Sequence, residues 1–475
     1  MKTFLIMFSL CLLYVYPIVS ADRFYIDDLG RSIRGYAGWS ENGRPLADLI
    51  MIAVYFGMPM VDISPLPLIA GIFIFCISVS IYLNSVGTAF NDIQRALIGL
   101  AFICNPFFLE NLSYKYDALT MLLSVSLLFL SFTFKRPKYY IAPIILVVCS
   151  LSLYQASLTV FCSLAIIEFS LLSSSKDDFI SRAKVAVLRV VQLSIAYLFY
   201  SQLIAKIFIT GGYNDRHSQS IFSFNNPLKL LKSNTDSYVS IISSYYHKMP
   251  DIVFYAFIAS TLAIAISSII KRSKNGRWAA YNIIITAISF ILIYTMTFAH
   301  LATLKNPIYA PRVMISFGCV LMYFLLISTH KRYFYIPASI LIAYSFVLSF
   351  SYGNAMKSQG VYEDYIKSSV SYDINRLNYK SSSISFVGEM PKSEGLKLAI
   401  HKYPILRKLV PIHINNNWVW GGVSLLHYGT ALSHKSISDS DIAIICKTIP
   451  RVETKLYSIF TLNESVIVMF DKSKC

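Results

Sequence analysis

Apolar stretches recur along this chain at lengths that suit a lipid bilayer, and no other feature constrains its fold as strongly. A helix crosses the hydrocarbon core of a bilayer with about 17–25 mostly apolar residues. Such stretches lie near 3–20, 65–86, 96–110, 117–134, 139–154, 156–173, 186–208, 251–270, 279–301, 311–329 and 333–352. The sequence therefore predicts an all-α polytopic membrane protein with about eleven spans. The third and fifth are short, as in helices that tilt or pack inside a bundle.

The charge content supports this class of protein. Only 14% of the residues are charged and 55% are hydrophobic, whereas soluble domains carry about 25% charged residues. The net charge of +17 would suggest nucleic acid binding in a soluble protein, but Lys and Arg also collect at cytoplasmic span ends. No basic patch is interleaved with aromatic residues, so we expect the lipid bilayer and no nucleic acid as a partner.

Four short basic loops orient the spans. They contain, in chain order, Lys135, Arg136 and Lys138; Lys176, Arg182, Lys184 and Arg189; Lys271, Arg272, Lys274 and Arg277; and Lys331 with Arg332. Eleven spans with a cytoplasmic N-terminus put all four loops on the cytoplasmic side. The first outer loop (21–64), the loop 209–250 and the tail then face the opposite side. The apolar segment 46–58 within the first outer loop is predicted as an interfacial or re-entrant helix.

The tail changes character, and we predict two domains, 1–352 in the membrane and 353–475 outside it. Its pattern indicates a small α/β domain with strands at 383–387, 441–446 and 465–470, a helix at 395–409 that Pro404 kinks or ends, and a linker at 380–382. The eight cysteines form no CxxC pair and no metal-ligand spacing. Cys446 and Cys475 lie in the polar tail and could form a disulfide.

Charged residues near the membrane are the candidates for chemistry, because charge is costly there. The first outer loop carries Asp22, Asp27, Asp28, Glu41 and Asp48 together with Arg23, Arg31, Arg34 and Arg44. The adjacent Asp27 and Asp28 diverge by about 100° on a helix, so at most one faces a substrate. The other caps a helix or pairs with an arginine such as Arg31. The alternative is a solvated juxtamembrane helix with ion pairs.

Two further groups lie at predicted outer span ends. The first contains Glu110, Lys115 and Asp117, and the second contains His300, Lys305, Tyr309 and Arg312. Arg312 begins an apolar span and needs a carboxylate or a bound phosphate as partner. The alternative for the first group is an aromatic interface belt with one ion pair.

Two functions suit these parts. A glycosyl transferase that uses a lipid-phosphate sugar needs a carboxylate to take the proton of the acceptor hydroxyl and cations to hold the departing phosphate. A transporter needs charges near mid-membrane and related halves with broken helices. The spans are apolar in the middle and no repeat occurs, which favours the enzyme.

Several motifs resemble the serotype-converting O-antigen glucosyltransferases of bacteria and their phages. They are Tyr25-Ile-Asp-Asp-Leu-Gly-Arg31, Gly38-Trp39, Gly43-Arg-Pro-Leu46, Asp62-Ile-Ser-Pro-Leu-Pro67 and Asn105-Pro-Phe-Phe-Leu-Glu-Asn-Leu-Ser-Tyr-Lys-Tyr-Asp117. The resemblance covers about the first 120 residues and the topology throughout. It implies a GT-C fold and transfer of glucose from undecaprenyl-phosphate-glucose to the O-antigen repeat of lipopolysaccharide. The site would face the periplasm from the bacterial inner membrane, with a flippase and a donor synthase as companions.

The resemblance also implies roles for single residues. Asp27 is the candidate catalytic base and Asp28 the second choice. The candidates for the donor phosphate are Arg31, Lys115, Lys305 and Arg312, and those for sugar contact are Trp39, Glu41, Arg44 and Asp117. We expect no metal and no cofactor, and an inverting mechanism, since retention through a glycosyl-enzyme wants two carboxylates facing each other. The run Asn415-Asn-Asn-Trp-Val-Trp420 suggests that the tail shapes acceptor recognition, with ordinary core aromatics as the alternative.

Three functions stay open from the sequence. The first is this glucosyl transfer. The second is another polyprenyl-phosphate-sugar transferase or an O-antigen polymerase. The third is a flippase or permease for a lipid-linked sugar.

Overall fold

The structure is a computed structural model that describes most of the chain. The described residues are 1–86, 90–136, 139–170, 176–210, 212, 217, 219–223, 226–246, 251–273, 275–328, 333–377, 379–416 and 418–475. Of the basic residues used to orient the spans, Lys138, Lys274, Lys331 and Arg332 lie outside them. Orientation in the membrane therefore stays a prediction.

Six helices among the described residues are long and apolar enough to cross a membrane. They are Lys2–Ala21, Leu66–Ser85, Asp177–Phe208, Ile252–Lys271, Gly276–Met296 and Tyr335–Arg376. Each coincides with a predicted span, so a mostly helical protein with several candidate membrane-spanning helices is confirmed. The predicted count of eleven is not confirmed.

The other five predicted spans are occupied by shorter helices. These are Asp92–Ile103 followed by Phe108–Ser113, then Ala118–Ser131, Ile141–Leu151, Leu158–Ser170 and Phe317–Ile327. Helices of 11–14 residues are about 16–21 Å long at 1.5 Å per residue, which is less than the thickness of the hydrocarbon core. Asp92–Ile103, Ala118–Ser131 and Phe317–Ile327 are largely buried against other helices. Apolar sequence therefore reflects burial in the protein here as much as contact with lipid.

The first outer loop has its own short helices. They are Asp28–Arg34, the 3-10 turn Ser40–Asn42 and Pro45–Val54. The last lies within the segment predicted as interfacial, and it begins at a proline, whose fixed φ suits the first helical turn. Leu49 in this helix is 66% exposed and Phe56 just beyond it is 99% exposed. Such apolar exposure suits a helix that lies at a lipid surface, which stays a prediction.

The long helix Tyr335–Arg376 contacts both the N-terminal helix and the C-terminal region. It packs closely against the N-terminal helix, where the Ser349 hydroxyl donates to the Tyr14 carbonyl at 2.6 Å. At Gly353 a Cβ atom would come within 2.4 Å of the Pro17 carbonyl oxygen, so only glycine permits this approach. The helix runs unbroken through position 352, where the sequence divided the chain. The division into two domains stays a prediction.

Two helices lie between the candidate spans, one of 20 residues and one of four. Pro227–Tyr246 lies in the loop predicted to be on the outer side, and Ala299–Ala302 leads into the 3-10 turn Pro311–Val313. This turn carries Arg312 to the start of the helix Phe317–Ile327.

A five-stranded sheet forms the C-terminal region. Its strands are β1 (Ser383–Val387), β2 (Ser433–His434), β3 (Val452–Glu453), β4 (Ser458–Leu462) and β5 (Ser465–Met469), in the order β2-β1-β5-β4-β3. β1 is parallel to β2 and β5, whereas the pairs β3–β4 and β4–β5 are antiparallel. The β4–β5 hairpin turns at Asn463 and Glu464, which both have positive φ, as a two-residue type I′ turn requires. The helices Glu394–Lys402, Leu406–Leu409, Val419–Leu426 and Asp439–Ile445 complete the region.

The strands predicted at 383–387 and 465–470 are confirmed, and the helix predicted at 395–409 is divided before Pro404. The strand predicted at 441–446 is wrong, because Asp439–Ile445 is a helix. The Ser438 hydroxyl caps it by accepting from the Asp441 N–H at 3.2 Å. A Ser N-cap followed by acids in the first turn favours a helix, and this signal outweighs a short apolar run.

Cys446 and Cys475 form a disulfide that closes a chain separation of 29 residues. We expect Cys475→Ser to lower the free energy of unfolding by about 3–4 kcal/mol, the loop-entropy value for this length. Thermal unfolding of the purified protein in detergent checks this, with Cys149→Ser, a change at a free cysteine, as the control. Free Cys446 and Cys475 thiols on alkylation of the non-reduced wild type would contradict the expectation.

Candidate active site

The two adjacent aspartates stand at the start of the helix Asp28–Arg34. Asp27 is its N-cap residue and Asp28 its first residue, and Gly35 ends it with φ +59°. A helical start makes the two carboxylates diverge, as the sequence predicted. The structure gives them different surroundings: Asp28 is fully buried, and Asp27 is half-buried.

Asp28 is held by backbone groups. Its Oδ2 accepts from the N–H groups of Tyr25 (3.0 Å) and Lys115 (2.8 Å), and its Oδ1 accepts from that of Tyr116 (3.3 Å). Burial raises the pKa of Asp28 to about 7, with a further contribution from Asp117, against the bonds from Lys115 and Tyr25. Asp28 therefore joins the first outer loop to the segment 114–117.

Asp27 has an open carboxylate. Among the described residues, none donates a hydrogen bond to its side chain. Burial raises the pKa of Asp27, and Asp117 raises it further. Arg31, Arg312 and Arg44 act in the opposite direction, in that order, because each lies near enough to stabilise the charged form. We call Asp27 with these three arginines the Asp27 cluster.

Arg31 is fixed by residues of two segments. Its Nη1 donates to Asp117 Oδ2 at 3.0 Å, and both side chains are buried. Its guanidinium lies 4.2 Å from the Trp39 ring centroid, and Trp39 Nε1 donates to Asp117 Oδ1 at 2.5 Å. The buried Nε of Arg31 has no hydrogen-bond partner within the described part of the chain. Trp39 is 1% exposed, so its ring is packed inside the first outer loop. Sugar contact by Trp39 or Asp117 stays a prediction.

Arg312 reaches the cluster from the turn Pro311–Val313. Its Nη1 lies 3.3 Å from Glu110 Oε1, its backbone N–H donates to Glu110 Oε2 at 2.9 Å, and Nη1 also donates to the Tyr114 hydroxyl. Glu110 is buried, whereas the Arg312 side chain is 23% exposed. The carboxylate partner that the sequence required is Glu110.

Two further candidates are Arg44, which belongs to the Asp27 cluster, and Lys115. Arg44 donates through Nε to Gln155 at 2.9 Å and lies over the Tyr154 ring at 4.7 Å. Lys115 forms ion pairs with Asp22 (2.6 Å) and Asp62 (3.0 Å), so its role at the donor phosphate stays a prediction.

Glu41 and Lys305 lie on two other segments of the chain. Glu41 is exposed on the turn Ser40–Asn42. Lys305 lies on the segment before Pro311, where its backbone N–H donates to Gln219 at 2.7 Å. None of the described contacts of Asp27, Arg31 or Arg312 includes either residue. Their assignment to sugar and phosphate stays a prediction.

Sequence reasoning missed Tyr154 and Gln155, which support the cluster. The Tyr154 hydroxyl donates to the Arg312 carbonyl at 2.8 Å, and Gln155 binds Arg44. Both lie at the turn near 155, which the eleven-span topology puts on the same side as the first outer loop. The signal available in the sequence was that these two polar residues stand together at the end of an apolar stretch, where site residues of a membrane protein are expected. Among the described residues, no group of three or more His, Cys, Asp or Glu could hold a metal ion.

Comparisons with known proteins identify the family of the chain. A family model described as glucosyl transferase GtrII matches residues 16–323. An uncharacterized 55.3 kDa protein in the gtrB 5′ region of Salmonella phage P22 is 32% identical over 480 residues, which cover 98% of each chain. No solved structure matches the chain. The matched range 16–323 contains the whole Asp27 cluster and Glu110, and the resemblance found in the sequence is confirmed.

Proposed function

The chain belongs to the glucosyl transferase GtrII family, and we propose that it transfers a glucosyl group from undecaprenyl-phosphate-glucose to a sugar of the O-antigen repeat. Membership of this family supports glucosyl transfer and a membrane location. The choice of donor and acceptor rests on the chemistry of the Asp27 cluster and on the motifs of the first outer loop.

The observation that carries the proposal is a half-buried, unpartnered carboxylate surrounded by arginines, among the residues the structure describes. A base must be free to accept a proton and must stay ionised at neutral pH. Asp27 meets the first condition through its open carboxylate and the second through the three arginines. The same arginines present positive charge where a phosphate would depart.

We propose the following sequence of events. Asp27 takes the proton of the acceptor hydroxyl as its oxygen attacks the anomeric carbon of the donor. The bond from that carbon to the phosphate oxygen breaks, and Arg312 and Arg31 stabilise the departing polyprenyl phosphate. No acid needs to protonate it, because the phosphate leaves as a stable anion. A single displacement of this kind inverts the anomeric configuration.

The proposed location is the bacterial inner membrane, with the cluster and the C-terminal region in the periplasm. The Cys446–Cys475 disulfide supports this side, because disulfides persist in oxidising compartments such as the periplasm. A donor made in the cytoplasm has to cross the membrane, so we propose a donor synthase and a flippase as companions.

Mass spectrometry with linkage analysis of O-antigen tests the proposal. Cells that carry the donor machinery are compared with and without this gene. An added hexose branch is the expected result and also names the acceptor sugar. A different added sugar would replace glucose in the proposal, and an unchanged O-antigen with the protein present in the membrane would overturn it.

The pH dependence of transfer follows from the raised pKa of Asp27. The base acts when deprotonated, so activity falls as the pH drops through its pKa. We therefore expect the acid limb of kcat/KM to lie above the ordinary Asp pKa of about 3.9. Rates of transfer measured from about pH 3.5 to about pH 8, a range that spans the titration of ordinary and raised carboxylates, check this. An acid limb at or below the ordinary Asp value would contradict it.

A further inference from the structure

A second polar site lies beside the first outer loop. A partly open cavity of about 480 Å³ is lined by the end of the N-terminal helix, part of the long helix Tyr335–Arg376 and the C-terminal region. Cavities of about 300–1,000 Å³ are typical of small-molecule sites. Residues 20–24 and Leu29 line it, so the cavity borders the segment of the first outer loop that carries Asp27. None of the roles described above uses it.

Buried charges form one wall of the cavity. Glu363 forms ion pairs with Arg23 at 2.7 Å and with Lys367 at 3.1 Å. The Nδ1 atom of His413 lies 2.8 Å from Glu363 Oε2. All four side chains are at most 6% exposed. Buried ion pairs need good geometry and full hydrogen bonding to repay the cost of desolvation. These residues come from three separate segments, so the wall also fixes the C-terminal region against the first outer loop.

Two atoms of this wall, Glu363 Oε2 and His413 Nε2, are buried without a hydrogen bond within the described residues, and only Glu363 Oε2 has ion-pair contacts there. His413 Nε2 is buried and makes no hydrogen bond within the described residues, although His413 lines the cavity. If Nδ1 donates to Glu363, then Nε2 is an acceptor, and if Nδ1 accepts from Lys367 (3.3 Å), then Nε2 is a donor. A hydroxyl can both donate and accept. A hydroxyl-bearing ligand therefore satisfies His413 in either tautomer.

The charge balance of the lining narrows the ligand class. The charged residues among the described lining are Arg23, Lys357 and Lys367 against Asp22, Glu363 and Asp364. Three cations and three carboxylates line the cavity, so its net charge is close to zero and favours neither an anionic nor a cationic ligand. It offers many donors and acceptors instead, including the Tyr428 hydroxyl, which donates to Asp364 at 2.5 Å. Dense, balanced hydrogen-bonding capacity suits a neutral polyhydroxyl ligand.

We propose that this cavity binds a saccharide segment of the acceptor, next to the sugar that receives the glucosyl group. The inference rests on the proposed function, and it names the substrate class that the C-terminal region recognises. The C-terminal region then selects the acceptor directly, because its residue His413 and Glu363 of the long helix form the same wall of the cavity.

Filling the cavity from its rim tests the proposal. Val361 lines it and is 66% exposed, so Val361→Trp adds bulk without removing a packed side chain. Gly360→Leu is a second filling variant, since a Cβ there meets only Arg23 at an ordinary contact distance of 3.6 Å. Ser368→Trp is the matched control, because it is exposed on the same helix and does not line the cavity.

The measurement is binding of O-antigen polysaccharide, released from its lipid by mild acid, to the full-length protein in detergent without donor. We expect each filling variant to raise the dissociation constant about tenfold, equal to about 1.4 kcal/mol of binding free energy. The control should bind like the wild type, and Asp27→Asn should bind the polysaccharide while transfer is lost.

Two results would overturn the proposal, and they are distinguishable. If the wild type modifies O-antigen but both filling variants bind it as tightly as the wild type, the cavity is not the acceptor site and the proposed function stands. If the wild type neither binds nor modifies O-antigen, both proposals fail together.

Discussion

Replacing Asp27 with Asn is expected to lower glucosyl transfer by about 10²–10⁴-fold, the usual contribution of a general base. The amide cannot take the proton of the acceptor hydroxyl. Because no described residue donates a hydrogen bond to Asp27, the substitution removes no contact that holds the loop, and the protein should stay folded. Mass spectrometry of O-antigen from cells with the donor machinery measures transfer, and thermal unfolding in detergent measures stability.

Asp28→Asn is the matched control, one residue away with the same chemical change. Its carboxylate accepts three backbone N–H groups, and an amide nitrogen in place of one oxygen leaves a buried donor unsatisfied, which costs about 1–3 kcal/mol. We expect a lower unfolding temperature and less protein in the membrane. If Asp28→Asn abolished transfer at unchanged stability while Asp27→Asn stayed active, the base would be Asp28.

Asp117→Asn is expected to destabilise the protein by about 3–5 kcal/mol, the cost of leaving one charge of a buried pair without its partner. Asn keeps an acceptor for Trp39 Nε1 but removes the negative charge that faces Arg31. The loop that carries Asp27 should lose its fixed position, so transfer falls together with stability. The unfolding temperature in detergent and the amount of protein in the membrane measure the effect.

A double variant separates stability from chemistry. Arg31→Met in the Asp117→Asn background removes the unpaired charge, so we expect much of the lost stability to return, as when buried pairs are replaced by apolar groups. Transfer should stay low, because Arg31 is also a candidate for the donor phosphate. An unchanged unfolding temperature for Asp117→Asn alone would contradict the buried pair.

The sequence predicted which residues belong to the candidate site better than it predicted which of them contact each other. Asp27, Arg31 and Arg312 were candidates from the sequence, and the structure brings them together. Glu110 and Lys115 lie five residues apart, yet Glu110 pairs with Arg312 and Lys115 with Asp22 and Asp62. Nothing in the local pattern distinguishes these partners. The same holds for the buried wall of Glu363 and His413, since polar residues in a helix and in a loop give no periodic signal.

The sequence by itself determined the features that depend on neighbouring residues. Apolar stretches near the length of a bilayer predicted a helical membrane protein, and adjacency made the Asp27 and Asp28 carboxylates diverge. Tertiary structure decided which of the two is open, and it joined Arg31 to Asp117 across 86 residues and Arg312 to Glu110 across 202. It also decided that Asp92–Ile103 and Phe317–Ile327 pack inside the protein. The physical reason is that an apolar sequence shows that a helix is shielded from water, but it does not show whether lipid or another helix shields it.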